Sequence, residues 1–247
     1  MLPALRFAPR DCLVAVALLA ALPGCYGVMA SGQNSEGARL YQQGNLPGAI
    51  DRFQQAAYTN PNDANAYYNL AASYHELGRL QGRNDYLKQA ENYYHQCLDR
   101  QRDHVDCHRA LAVLLVEEDR SPEAFRFLEQ WVASSPTSSD AKVELARLYE
   151  DFSDREAARQ YLQTALAHDP RNSRALAALG RLHEEAGNAP QALADYQRSL
   201  EYNRFQPELA RRANSLRASV APPAMNFSPN PINTPTIATQ PTPGFRY

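Results

Sequence analysis

The chain has 247 residues, of which 21% are charged and 44% hydrophobic, and its formal net charge is −2. This is the composition of an ordinary globular protein. Nearly all the basic charge is arginine, since Lys88 and Lys142 are the only lysines, and no basic run is clustered. A nucleic-acid backbone requires such a cluster, so no nucleic-acid partner is expected.

The N-terminal segment has the pattern of an export signal. Two arginines precede an apolar run over 12–22. As a helix this run would rise about 16 Å, too little to cross a hydrocarbon core of about 30 Å. It ends in Leu-Pro-Gly-Cys at 22–25. That ending resembles the bacterial lipoprotein box, in which a small residue precedes the modified cysteine.

The resemblance implies a lipoprotein signal peptide over 1–24, a lipid on Cys25 and a short lipidated anchor segment over 25–29. Several acyl chains together hold a protein stably on a membrane. Tyr26 stands where an aspartate commonly retains lipoproteins at the inner membrane. In a Gram-negative cell we therefore expect the outer membrane, facing the periplasm. Ordinary secretion with an incidental cysteine stays open as the alternative.

An internal repeat runs through the middle of the chain. Each unit has an alanine followed four residues later by an aromatic residue or leucine, as in Ala158 and Leu162. Earlier in units two to five stands a leucine, then a small residue, then a larger one three places on, as in Leu145, Ala146 and Tyr149, whereas unit one lacks this motif. Each spacing places the side chains on one helical face. Each unit is thus predicted to be a pair of helices.

This pattern resembles the tetratricopeptide repeat (TPR), a helix–turn–helix unit of about 34 residues. The resemblance implies an all-α, TPR-type α-solenoid of about five helical hairpins, because a single hairpin cannot bury its apolar face and must stack on neighbours. Seven extra residues in the second unit are expected to lengthen a loop or the start of a helix. The predicted units are 30–63, 64–104, 105–138, 139–172 and 173–206.

A turn is predicted between the two helices of each unit. Gly44, Gly78 and Gly187 mark this turn in units one, two and five, because helices often end in a left-handed residue, which glycine adopts readily. Asp119 and Ser153 occupy the same place in units three and four.

A capping helix is predicted after the repeats, over 207–218. Proline at 207 suits a first helical turn, and Leu209, Ala213 and Leu216 share one face. The remaining residues, 219–247, hold seven prolines and a single charged residue. Such a segment cannot bury enough surface to offset its ordering entropy, so we expect a disordered tail.

Two cysteines remain in the repeat region, Cys97 and Cys107. The resemblance implies that their places can approach each other, so a disulfide and two buried free thiols are both open. Histidines at 95, 104 and 108 stand nearby, and thiolate with imidazole suits zinc or copper. Their spacing matches no known zinc finger, however, and no metal or other cofactor is expected.

In the family that the pattern resembles, the first helices line a concave groove that binds peptides. Carried over by position, the groove includes an aromatic and amide part and an arginine-rich part. The predicted peptide-binding residues are Tyr41, Asn65, Tyr68, Asn69, Arg109, Arg147, Arg174 and Arg181.

These patterns favour a membrane-anchored, non-catalytic scaffold in the bacterial envelope, with other proteins or peptides as partners. No phosphate-cradling loop or nucleophile elbow occurs, and no small-molecule substrate is expected. One alternative is a secretin assembly factor resembling the type IV pilus pilotins, which are also lipidated TPR proteins. The other is a metal-binding envelope protein, based on the histidine–cysteine cluster.

Overall fold

The computed structural model describes residues 23–220, with side chains from Met29 onward. Within this range the secondary structure consists of helices, with no strand. The helices are α1 Pro23–Gln42, α2 Leu46–Thr59, α3 Ala64–Gln81, α4 Asn84–Arg100, α5 Val105–Glu117, α6 Ser121–Ser134, α7 Ser139–Asp151, α8 Arg155–His168, α9 Ser173–Glu185, α10 Ala189–Tyr202 and α11 Pro207–Val220.

Consecutive helices pack as hairpins, and each hairpin packs on the next. The predicted all-α solenoid is therefore confirmed. The first helices of neighbouring hairpins also contact one another, α1 with α3, α3 with α5, α5 with α7 and α7 with α9. Their surfaces face the inside of the curve. None of the described helices is long and apolar enough to cross a membrane.

Local sequence sets where most helices begin. Asp63, Ser138, Asp154 and Asn172 each accept a hydrogen bond from a backbone N–H in the first turn of the following helix. Such a cap is worth about 1 kcal/mol because it satisfies a donor that the helix itself cannot. The same residue types recur because every unit must begin two helices.

The tight turns between paired helices share one backbone conformation. Gly44 and Gly187 have φ angles of 75° and 76°, and Asp119 and Ser153 reach 60° and 65° at the corresponding places. The turn requires a left-handed backbone conformation at this place whatever the side chain. That conformation costs free energy for residues other than glycine.

The turn predicted at Gly78 is wrong. Gly78 lies inside α3, and the left-handed residue is Gly82, with φ 63°. The extra residues of this unit extend both helices instead of forming a loop, so α3 and α4 have 18 and 17 residues. Gly78 serves close packing, because a Cβ there would stand 2.7 Å from Leu87 Cδ2.

The recurring small residues form the interior of the solenoid. Ala49, Ala124, Ala158 and Ala192 are all fully buried. In the last repeat Gly180 packs so closely on Tyr196 that a Cβ would stand 2.6 Å from its ring. Adjoining apolar clusters are bridged by half-buried tyrosines, so the core continues from hairpin to hairpin.

The two ends differ from the inner repeats. At the C-terminal end α11 buries Leu209 and Ala213 against α10, and it continues to Val220, two residues into the predicted tail. At the N-terminal end α1 begins at Pro23, so the predicted anchor segment 25–29 is helical. The rest of the signal peptide, 1–22, and the tail residues 221–247 lie outside the described residues.

Candidate peptide-binding groove

A row of hollows runs along the inner surface, across the first helices of the hairpins. Adjacent hollows share lining residues, so they form one continuous groove. Tyr41 and Ala72 belong to the first two hollows, Glu117 links the second to the third, and Arg147 links the third to the fourth. Arg181 links the fourth to a last hollow beside α11.

The first hollow of the groove is lined by uncharged residues. Tyr41 and Tyr68 line a cavity of about 160 Å³ together with the small Ala38 and Ala72. Burial is the main cause that raises the pKa of both tyrosines above the ordinary value, so both stay protonated. Their hydroxyl groups remain able to donate and accept hydrogen bonds.

The two predicted asparagines are held by neighbouring side chains. Asn69 Nδ2 donates to Asn34 Oδ1 at 2.9 Å, which joins α3 to α1. Asn65 Oδ1 lies 3.1 Å from His104 Nε2. Because His104 Nδ1 accepts from the backbone N–H of Cys107, Nε2 carries the proton and donates to Asn65. Both amides are therefore fixed in position along the groove.

A buried carboxylate organises the C-terminal part of the groove. The Glu144 side chain on α7 is only 2% exposed. Arg109 on α5 donates to both of its oxygens, at 2.9 and 2.8 Å, and Arg174 on α9 also pairs with it. A buried charge requires such partners. Two of the predicted binding arginines therefore neutralise an internal carboxylate and join three first helices.

Arg147 is the most available of the predicted arginines. Its side chain is 45% exposed, and its nearest ion-pair contact, to Glu144, is 3.9 Å long. Among residues 29–220, its guanidinium has no hydrogen-bond partner. Burial, followed by repulsion from Arg109 and Arg181, lowers the pKa of its guanidinium from the ordinary value. Arg181 itself donates to both oxygens of Glu150, at 3.0 and 3.2 Å.

An apolar hollow lies beside Arg147, between α5 and α7. Its cavity of about 150 Å³ is lined by Val113, Val116 and Leu148, with Asp151 at the rim. Val113 is 43% exposed. An aliphatic side chain of a bound segment would cover this valine, while its backbone could pair with Arg147 or Asp151.

The structure joins Cys97 and Cys107 in a disulfide, with Cα atoms 6.7 Å apart. The bond connects the end of α4 to the start of α5. Among the described residues, His104 is the histidine whose ligand atom lies within 4.8 Å of both sulfurs, whereas His95 is exposed. With both sulfurs bonded to each other, neither is a thiolate that could bind a metal.

His108, the third histidine of this cluster, is enclosed by aromatic rings. It stacks on Trp131 with ring centroids 3.7 Å apart and also on Phe127. Its Nε2 donates to the carbonyl of Arg102 at 2.8 Å. Burial lowers the pKa of His108 to about 4, so it is neutral near pH 7 and serves packing.

Comparison with known families agrees with this architecture. Tetratricopeptide repeat family models match residues 37–78, 64–104 and 143–219. The chain is a tetratricopeptide repeat protein. No curated protein sequence matches it significantly.

Several solved structures resemble this TPR protein in fold. A TPR protein of Thermus thermophilus is 22% identical with a TM-score of 0.56, over 76% of this chain and 99% of that one. PilF of Pseudomonas aeruginosa is 16% identical with a TM-score of 0.50, over 78% and 85%. A chain of the Cut9–Hcn1 heterotetramer of APC/C is 15% identical with a TM-score of 0.51, over 84% and 39%. At these identities the likeness concerns the fold.

The organising role of Glu144 was not predicted from the sequence. The available signal was an acid on the first helix of unit four, with arginines on the first helices of the units before and after. The lipidation residue Cys25 lies in the backbone of α1, and its side chain lies outside the described part of the structure.

Proposed function

We propose that this TPR protein is a lipid-anchored, non-catalytic scaffold of the bacterial envelope that holds extended segments of other proteins in its inner groove. The observation that carries the proposal is the continuity of the groove, from the Tyr41 hollow to the Arg181 hollow. A continuous strip of this kind suits a peptide better than a small compact ligand. The lipoprotein box at 22–25 supports the anchor.

Tyr68 and Arg147 are the groove residues best suited to contact a partner. Tyrosine and arginine are frequent anchors at interfaces, and these two side chains are partly exposed in separate hollows. Substituting either one with alanine should reduce the amount of partner crosslinked to the protein in isolated membranes and quantified by mass spectrometry. We expect a loss of about tenfold for each, in the range of a hot-spot truncation.

Matched controls lie outside the groove. Arg159 on α8 pairs with the exposed Glu156, and Tyr202 near the end of α10 is 47% exposed. Alanine at either place should leave partner recovery unchanged. Equal recovery with Tyr68→Ala, Arg147→Ala and the controls would contradict groove binding, and melting temperatures would show whether any variant is unfolded.

The lipid anchor is tested separately. Cells fed a labelled fatty acid should incorporate the label into the wild-type protein and into Cys12→Ser, but not into Cys25→Ser. Label that persists in Cys25→Ser, or that is absent from the wild type, would refute lipidation at Cys25 and leave the groove test unaffected.

A narrower candidate function is that of a secretin assembly factor resembling the pilotins. The fold likeness to PilF of Pseudomonas aeruginosa supports this candidate. It predicts that deletion of the gene abolishes multimers of an outer-membrane secretin, detected on denaturing gels, and that wild-type protein restores them. Normal secretin multimers in the deletion strain would remove this candidate and leave the broader scaffold.

A further inference from the structure

The start of the solenoid carries two uncharged stretches that meet in space. Residues 23–35 of α1 and residues 53–62 at the end of α2 contain no Asp, Glu, Lys or Arg, although 21% of the whole chain is charged. They lie side by side, because Thr59 Oγ1 is 3.0 Å from Gln33 Oε1. These two stretches form a neutral end, bordered by Arg100, which donates to the carbonyl of Pro61 at 2.6 Å.

Two large apolar side chains project from this neutral end. Tyr58 is 89% exposed and Met29 is 60% exposed, whereas the adjacent Ala30 is 1% exposed. Met29 precedes Gln33 by four residues and so shares its helical face. Met29 therefore lies one turn beyond the contact with Thr59, on the side of α1 nearest Tyr58.

The proposed lipid attachment site belongs to the same helix. Cys25 precedes Met29 by four residues within α1, a rise of about 6 Å. Each headgroup layer of a bilayer is also about 5–7 Å thick, which is half the difference between the total thickness and that of the hydrocarbon core. A lipid on Cys25 would thus hold Met29 at the level of the headgroups.

We propose that this neutral end, 23–35 with 53–62, rests on the membrane, with Met29 and Tyr58 inserted among the lipid headgroups. The proposal rests on the proposed lipid anchor at Cys25. Tyrosine is enriched at membrane interfaces because one end of its ring is apolar and the other polar. Since the two stretches themselves contain no charged residue, their contact does not require anionic lipid. The second helical pair and those after it then extend from the membrane, and the groove stays open to partners.

An anchor of one acyl chain makes the contribution of this surface to membrane binding measurable. The experiment uses residues 25–247, which keep every described helix except the first two residues of α1. With Cys97 and Cys107 in a disulfide, Cys25 is the remaining thiol and can be coupled to one myristoyl-length maleimide. One such chain binds membranes only marginally, so an additional contact alters the partition into phosphatidylcholine vesicles detectably.

The wild-type conjugate should partition about fivefold more strongly than the Met29→Ser/Tyr58→Ser conjugate, the effect expected of a small interfacial contact. Tyr202→Ser is the matched control, because Tyr202 is 47% exposed in the last repeat, and it should partition like the wild type. Equal partition of the double variant and the wild type would overturn the proposal.

A second measurement reports depth directly. In the same conjugate, Tyr58→Trp should be quenched by brominated phosphatidylcholine at least about twofold more than Tyr202→Trp, since interfacial aromatics sit at headgroup level. Trp131, the only native tryptophan, supplies the same background in both. Equal quenching would overturn the proposal. Light scattering without vesicles gives a further test. If the wild type were a dimer and Tyr58→Ser were a monomer, a second copy of the chain would cover this surface, and the proposal would be overturned.

Because the anchor is attached chemically, these measurements do not depend on whether cells lipidate Cys25. Failure of the fatty-acid labelling would refute the cellular anchor, whereas failure of the partition and quenching measurements would refute the membrane-facing surface.

Discussion

The two parts of the groove use opposite chemistry. The first hollow at the N-terminal end, on α1 and α3, is lined by tyrosines and amides, and Asn69 is hydrogen-bonded to Asn34. The C-terminal part, on α5, α7 and α9, is built from ion pairs around the buried Glu144. Both arrangements fix one first helix against the next. The difference shows that polar side chains along a groove can hold the helices together. Those available to a bound partner are the ones without strong bonds inside the molecule.

The strongest test of this comparison removes the central carboxylate. Glu144→Ala leaves Arg109 and Arg174 without their shared partner and in mutual repulsion. Both arginines are about one-third exposed, so water can partly replace the lost carboxylate. We therefore expect the free energy of unfolding to fall by about 3–4 kcal/mol, the lower part of the range for a broken buried ion pair. Urea denaturation measures it.

Glu185→Ala is the matched control. Its ion pair with Arg155 has side chains that are 44% and 62% exposed, and exposed pairs contribute about 0–1 kcal/mol. If the two glutamate variants lost equal stability, the organising role of Glu144 would be wrong.

The C-terminal part should also respond to pH through His108 on α5. Its pKa falls from 6.5 in the unfolded chain to about 4 in the folded one, so below pH 6.5 the unfolded state binds the proton more readily. The stability present above pH 6.5 is therefore lost as the pH falls toward 4, by about 3 kcal/mol in all. Unfolding measured from pH 7 to pH 4 should reveal this loss.

Other groups titrate in the same range, so the test compares variants. His108→Phe retains a ring against Trp131 and should lose about 3 kcal/mol less than the wild type over this pH interval. His168→Phe, at an exposed site at the end of α8, should follow the wild-type curve. A His108→Phe curve parallel to the wild type would exclude His108 as the cause.

The disulfide lies at the border between the two parts of the groove. Closing a loop of about ten residues should stabilise the folded chain by about 2.5 kcal/mol. Reduction should therefore lower the melting temperature of the wild type. A Cys97→Ala/Cys107→Ala variant should melt lower than the oxidised protein and be insensitive to reductant. A reductant effect of the same size in this double variant would assign the effect to another cause.

The smallest effect is expected in the uncharged first hollow. Asn69→Ala removes the hydrogen bond to Asn34, which should lower the free energy of unfolding by about 1 kcal/mol. The loss should be unchanged between low and high salt, unlike that of Glu144→Ala, because no ionised group takes part. A double-mutant cycle with Asn34→Ala isolates the pair, and a coupling energy near zero would show that the two amides act independently.

The repeat spacing by itself determined the fold. Alanines such as Ala124 and Ala158 are fully buried because a period of 34 residues brings the same side chain to the same interface in every unit, and only stacking can cover those faces. The left-handed turns at Asp119 and Ser153 were predictable for the same reason. Periodicity transfers a backbone conformation even where the residue type changes.

Tertiary structure alone decided which polar residues are free. Arg109, Arg147 and Arg174 all stand on first helices in the sequence, yet two of them pair closely with Glu144, whereas Arg147 has only a 3.9 Å contact to it and is 45% exposed. The choice depends on distances between side chains of different units, which no spacing along the chain specifies. The turn at Gly82 was decided the same way, because packing of α3 on α4 overrode the glycine signal at Gly78.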